Sequence, residues 1–182
     1  MIPAGRRLLP LAIAAAAALP FLQTLRGEFV NWDDPGNFLI NEGYRGLGWA
    51  QLRWMVTTTL LGHYIPLTWL TFGINYAVDG MNPRGYHLGN VLLHAANAAL
   101  FFLVSRRLLG AGFGAGRSDA AVTWGAAAAA LVFGVHPLRA ESVAWITERR
   151  DVLCATFYLL SVLAYLRAAD EGGPVRGRWR AL

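Results

Sequence analysis

Lysine is missing altogether. All 16 basic residues are arginine, which reads as a preference for GC-rich codons rather than a chemical demand. Charge of either sign is scarce: 15% of the chain is charged, against about a quarter in an ordinary soluble domain. Hydrophobic residues make up 55%, and the mean hydropathy is +0.39. That deficit, with several long apolar runs, excludes a typical soluble fold and points to an integral membrane protein. A single cysteine, Cys154, excludes a disulfide framework and a cysteine-based zinc site. The arginines sit at the ends of apolar runs instead of forming a patch, which argues against nucleic acid as a partner. No HExxH, GxSxG, Walker A or GxGxxG pattern occurs, and no internal repeat is visible.

What is present is a set of four apolar runs, at about 8–25, 85–109, 121–135 and 152–168. The first follows Arg6 and Arg7, and as a helix it rises about 27 Å, close to the hydrocarbon thickness of a bilayer. Pro10 and Pro20 should bend it. A signal peptide begins the same way, with small residues such as Ala14 to Ala18 before a cleavage site; the reading taken here is an uncleaved helix. A loop at about 26–84 is rich in Gly, Trp and Pro. Within it "WAQLRWMVTTTL" places Trp49, Leu52, Val56 and Leu60 on one helical face, and "IPLTWLTFGINYAV" is too short to span. Both predict interfacial helices. The sum is an all-α integral membrane protein: about four transmembrane helices, plus two interfacial helices in the first outer loop.

Orientation follows from counting charges. With a cytoplasmic N-terminus, nine arginines accompany three carboxylates on the inner side, and seven accompany eight on the outer side. This obeys the positive-inside rule. Both polar loops, at about 26–84 and 136–151, then share the outer face, and the basic stretch at 171–182 is a cytoplasmic loop or a truncated end.

Three constellations stand out. Asp33 and Asp34 follow the first span. Asp34-Pro35-Gly36-Asn37 is good turn chemistry, which accounts for Asp34 and leaves Asp33 unexplained. A carboxylate pair beside a membrane can serve as general base, as metal ligand, or as both. The second loop, "HPLRAESVAWITERRD", gathers His136, Arg139, Glu141, Glu148, Arg149, Arg150 and Asp151. If its middle is helical, Glu141 and Glu148 share a face, and its arginines suit a phosphate. The competing reading is a solvated loop whose arginines reach lipid headgroups. On the second span His87, Asn90, His94 and Asn97 form one stripe, suited either to hydrogen bonds between helices or to a metal or substrate.

"NWDDPGNFLINE", "HYIPLTWLTFGINYAVDGMNPRGYHLGNVLLHAANAALFFLVSRRLLG" and "VFGVHPLRAESVAWITERRDVLCATFYLLSVLAYL" together resemble a known family. It is the N-terminal part of the transmembrane and tetratricopeptide-repeat-containing O-mannosyltransferases and their bacterial relatives, glycosyltransferases of the GT-C class. The likeness runs from about 27 to 168, in order and in register. It implies a polyprenyl-phosphate sugar donor, a protein or glycan acceptor hydroxyl, attack at the sugar's C1 with inversion, and contact with membrane lipid. It further implies that Asp33 or Asp34 is catalytic, with Asp33 preferred as base. Arg139, Arg149 and Arg150 would bind the donor phosphate, with His136, Glu141, His87 and His94 in support. A divalent cation, Mg or Mn, would sit on Asp34 and Glu141. The resemblance places the chain in a bacterial inner membrane with its active-site loops periplasmic. Relatives carry further spans and soluble repeats, so residues 1–170 are expected to be the N-terminal module of a longer protein and inactive alone. Against this stand a transport bundle built on the His/Asn stripe and a non-catalytic membrane scaffold or truncated remnant.

Overall fold

The structure is a computed structural model that describes residues 8–113 and 118–170. Arg6, Arg7, Arg117 and the basic stretch at 171–182, all used in the charge count, lie outside the described residues. The chain runs through α1 (Leu9–Ala18) and a 3-10 continuation (Leu19–Arg26), then a π turn at Pro35–Leu39. Next come α2 (Trp49–Thr57), α3 (Pro66–Asp79), α4 (Pro83–Phe113) and α5 (Asp119–Val135). A 3-10 turn (Pro137–Arg139), α6 (Ala140–Ala144), a second 3-10 turn (Ile146–Glu148) and α7 (Arg149–Asp170) complete it. Among the described residues there is no strand, only one isolated antiparallel bridge between Leu60 and His63.

Three stretches are long and apolar enough to cross a membrane: Leu9–Arg26, Pro83–Gly112 and Ile146–Ala169. Helix α5 and Pro137–Ala144, bent by 54° at the break, make a fourth only if that broken pair is counted as one span instead of a re-entrant loop. This is an all-α membrane protein. Pro20 coincides with a change of helix type: it lacks the N–H that an α-helical turn requires, and the helix tightens to 3-10 geometry from Leu19 onward. The 31 residues of α4 make a rod of about 46 Å, longer than the hydrocarbon layer alone demands.

The residues group into two compact units. One takes the described parts of 1–17, 94–136 and 154–182. Its core is Ile13 and Ala17 of α1, Ala98 and Phe102 of α4, and Ala126, Ala127 and Ala130 of α5. Small residues let these helices approach closely: a Cβ on Gly134 would stand 2.7 Å from that of Ala17. His94 Nε2 meets the Gly134 carbonyl at 2.8 Å, and Thr156 Oγ1 donates to Asn97 Oδ1 at 2.8 Å.

The second unit joins Ala18–Leu93 to Pro137–Leu153, which brings the two polar segments together. Its core is aromatic: Phe38, Tyr44, Met55, Trp69, Phe72, Tyr86 and Ile146 are buried. The rings meet mostly edge to face, as for Phe38 and Phe72 at 4.8 Å between centroids, the arrangement the ring quadrupole favours. The two short helices therefore pack a core of their own. α3 begins on Pro66, which suits the first helical turn, and buries Thr68, Trp69, Phe72 and Gly73. A Cβ on Gly73 would lie 2.9 Å from the Gly46 carbonyl, so only glycine lets the loop before α2 cross there.

Two expectations need correction. Leu60 does not extend the face of Trp49, Leu52 and Val56, because α2 stops at Thr57 where three consecutive threonines disfavour helix. Leu60 instead closes a two-residue turn with His63, in which Leu61 and Gly62 take φ of 48° and 80°. Nor do Glu141 and Glu148 share a helical face. Trp145 is extended (φ −86°, ψ 123°) and breaks the helix between them, leaving Glu141 exposed and Glu148 buried.

Candidate active site

The first polar segment turns at Pro35–Leu39, where Ile40 N donates to the Pro35 carbonyl at 3.1 Å and Asn37 N to that of Asp33 at 2.9 Å. Asp34 sits at the head of this turn in helical conformation (φ −61°, ψ −36°) without capping it. Its carboxylate points inward and is fully buried. Oδ2 accepts Val30 N at 2.8 Å, while Oδ1 accepts Trp145 Nε1 at 2.9 Å and Thr147 Oγ1 at 2.6 Å. Three donors thus hold one carboxylate, two of them from the second segment. Asp33, one residue earlier, is half-buried, and its carboxylate accepts no hydrogen bond among the described residues. The adjacent acids consequently differ in surroundings: the Asp34 carboxylate is enclosed by three donors, and that of Asp33 is half-buried and unbonded among the described residues.

The arginines of the second segment also part company. Arg149 is buried, 1% exposed. Its Nε donates to Asn90 Oδ1 at 2.8 Å, Nη1 to Asn75 Oδ1 and to Thr71 Oγ1, and Nη2 to the Tyr86 carbonyl at 2.5 Å. The guanidinium lies 4.4 Å from the Phe72 ring centre. Gly89 makes the space, since a Cβ there would stand 2.5 Å from Nη2. No carboxylate is paired with Arg149 among the described residues. Arg150 remains partly exposed and pairs with buried Glu148 at 2.5 Å. Arg139 is half-buried, while His136 and Glu141 are exposed. Arg149 and Arg150 thus do not stand together as a phosphate clamp.

His87 and Asn90 of the stripe fall in this unit, and both are buried. Asn90 Nδ2 donates to the Trp145 and Val143 carbonyls at 3.0 and 3.3 Å. His87 lies against Gly27, whose Cβ would come within 3.1 Å of Nε2, and neither ring nitrogen makes a well-formed hydrogen bond. His94 belongs to the other unit, bonded to the Gly134 carbonyl. The polar stripe therefore serves mainly to tie helices together. Among the described residues no three His, Cys, Asp or Glu side chains converge. The donor set does not fit a cation shared by Asp34 and Glu141, because Asp34 is enclosed by donors and Glu141 is exposed.

Sequence reasoning missed Asn37, Thr71, Asn75, Trp145 and Thr147. One signal was available: a buried carboxylate demands donors. Trp145 and Thr147 lie within a segment already singled out, but nothing local tells that they face a buried acid, since the helix breaks only at Trp145 and a 3-10 turn follows.

The chain is 41% identical over 127 residues to "Protein O-mannosyl-transferase TMTC2" of Homo sapiens, covering 66% of this chain and 14% of that protein. It is 35% identical over 178 residues to "Protein O-mannosyl-transferase TMTC4" of Mus musculus, 92% of this chain and 24% of the relative. With "Protein O-mannosyl-transferase TMTC1" of Homo sapiens the identity is 36% over 184 residues, 94% of this chain and 19% of the relative. The chain thus spans between 14% and 24% of the length of these three relatives. No family model matches it, and no solved structure does. On the strength of these identities across most of its length, the chain belongs to the TMTC family of protein O-mannosyl-transferases.

Proposed function

We propose that this chain is part of a membrane glycosyltransferase that moves a mannose-like sugar from a polyprenyl-phosphate donor to an acceptor hydroxyl, a protein Ser or Thr. The reaction takes place on the outer face of the membrane, in a bacterium the periplasmic face of the inner membrane, with the N-terminus cytoplasmic. One observation carries the reading: Asp33 offers an unbonded carboxylate directly beside an acid buried and anchored by the second polar segment. The relatives' common name, protein O-mannosyl-transferase, supplies the chemistry that such a carboxylate would serve.

The acceptor oxygen attacks C1 of the sugar from the face opposite the phosphate, and the bond from C1 to the phosphate oxygen breaks. Asp33 takes the hydroxyl proton as the new bond forms. The polyprenyl phosphate departs with the electron pair, and configuration at C1 inverts. Positive charge must wait for that leaving group. Arg150 and Arg139, which are not fully buried, are the residues assigned to it; Arg149 holds the platform on which they stand. Asp34 orients the segment that carries the base. The test is transfer by the full-length protein in membranes, with polyprenyl-phosphate mannose and a Ser/Thr-rich peptide as probes. Asp33→Asn should lower turnover by about three orders of magnitude with membrane insertion unchanged. Retained turnover would remove Asp33 as the base.

A further inference from the structure

We infer that Thr147 and Trp145 are positioning residues that act through Asp34, locking the first polar segment so that Asp33 is held in its reactive place. The inference rests on the reading of Asp33 as the base. Thr147 has one hydroxyl hydrogen and two lone pairs. Asn37 Nδ2 donates to that oxygen at 3.1 Å, and the hydroxyl lies 2.6 Å from Asp34 Oδ1. A carboxylate only accepts, so the single hydrogen must point to Asp34, and Asn37 fills a lone pair. The relay has one direction, Asn37 to Thr147 to Asp34. Asn37, Thr147 and Asp34 are all buried, so water competes poorly for these bonds.

Trp145 adds a second donor from its indole N–H, at 2.9 Å, a group that cannot accept. The backbone of Trp145 is pinned in turn, because its carbonyl receives Asn90 Nδ2, and Asn90 Oδ1 receives Arg149 Nε. A continuous polar path therefore runs from the start of α7 to the turn that bears the two acids. The backbone of Asp33 is held where its carbonyl accepts Asn37 N at 2.9 Å, whereas its carboxylate has no hydrogen bond among the described residues. Its Cα lies about 3.8 Å from that of Asp34 across one planar peptide. Fixing the Asp34 carboxylate is the means by which the fold directs Asp33.

The experiment compares Thr147→Val, which keeps shape and removes the donor, with Thr147→Ser, which keeps the donor. Both are made with and without Asp34→Ala, which removes the acceptor, in the full-length protein, with polyprenyl-phosphate mannose and a Ser/Thr-rich peptide as probes. Thr147→Val should lower kcat about ten- to a hundredfold at unchanged KM for either probe, and Thr147→Ser should restore it to within about threefold. Adding Thr147→Val to Asp34→Ala should change little more, because the bond between the two side chains is already gone. Limited proteolysis near Trp32 repeats the cycle without chemistry: Thr147→Val should speed cleavage about tenfold, and only while Asp34 is present. Additive effects in either cycle, or wild-type behaviour of Thr147→Val, would overturn the inference. If the wild type transfers no sugar, the functional reading fails, and the proteolysis cycle still decides the lock.

Discussion

At the scale of single residues, Arg149 and Arg150 are neighbours in sequence with opposite tasks. Arg149 directs its donors to neutral oxygens from α3 and α4, and each such bond to a charged group is worth roughly 1.5–3 kcal/mol. Arg149→Lys cannot reproduce the planar fork, so it should lower the melting temperature in detergent markedly, and Gly89→Ala should do the same by occupying the guanidinium's space. Arg150→Lys keeps the charge opposite Glu148 and loses the fork. It should leave the melting temperature unchanged and lower sugar transfer by about tenfold. A second residue-scale test concerns Tyr44, whose phenol is pushed up by burial first and by its hydrogen bond to Tyr86 second. A folded state that favours the neutral phenol keeps that contribution below pH 10, the ordinary tyrosine value, and loses it as pH rises further. Absorbance titration at 295 nm should find Tyr44 ionising only together with alkaline unfolding, and Tyr44→Phe should remove that part of the signal.

At the scale of elements, the long apolar helices were legible in advance and the small helices only in part. Long apolar runs announce themselves because lipid imposes a length and a hydropathy on each crossing. Helices α2 and α3 also appeared in outline, yet their purpose did not. Periodicity over nine or fourteen residues says that a face is apolar, and nothing about what covers it. Here Trp69 and Phe72 turn into a shared aromatic core, while Trp49 and Val78 stay exposed at 80% and 81%. Phe72→Ala opens a cavity beneath both Phe38 and the Arg149 guanidinium. It should cost about 3–5 kcal/mol, read as a loss of thermal stability with faster proteolysis around Trp32. The broken helix at Trp145 was equally hidden. Nothing in "AESVAWITERR" is a strong helix breaker, so the extended residue is imposed by its contacts: the indole reaches Asp34 and the carbonyl receives Asn90.

For the whole molecule, the main result is the meeting of two segments about a hundred residues apart in one compact unit, with Asp34 bonded to Trp145 and Thr147. Single cysteines placed at positions 33 and 141, in a Cys154→Ser background, should react with a membrane-impermeant maleimide from the same side of the membrane. Labelling from opposite sides would separate the acids from the second segment and end the proposed site. Charge counting leads to the expectation that this test addresses, because the cost of moving arginine across the bilayer acts on loops one at a time and is readable from composition. By itself, then, the sequence determined what depends on local composition: that the chain is helical, where it can cross a membrane, and which acids and arginines flank the crossings. Only the tertiary structure decided which acid is buried among donors and which carboxylate is left unbonded among the described residues, and which arginine is buried. Those roles depend on donors supplied by residues far away in the chain, and burial and hydrogen bonding are properties of the packed surroundings, not of the residue that feels them.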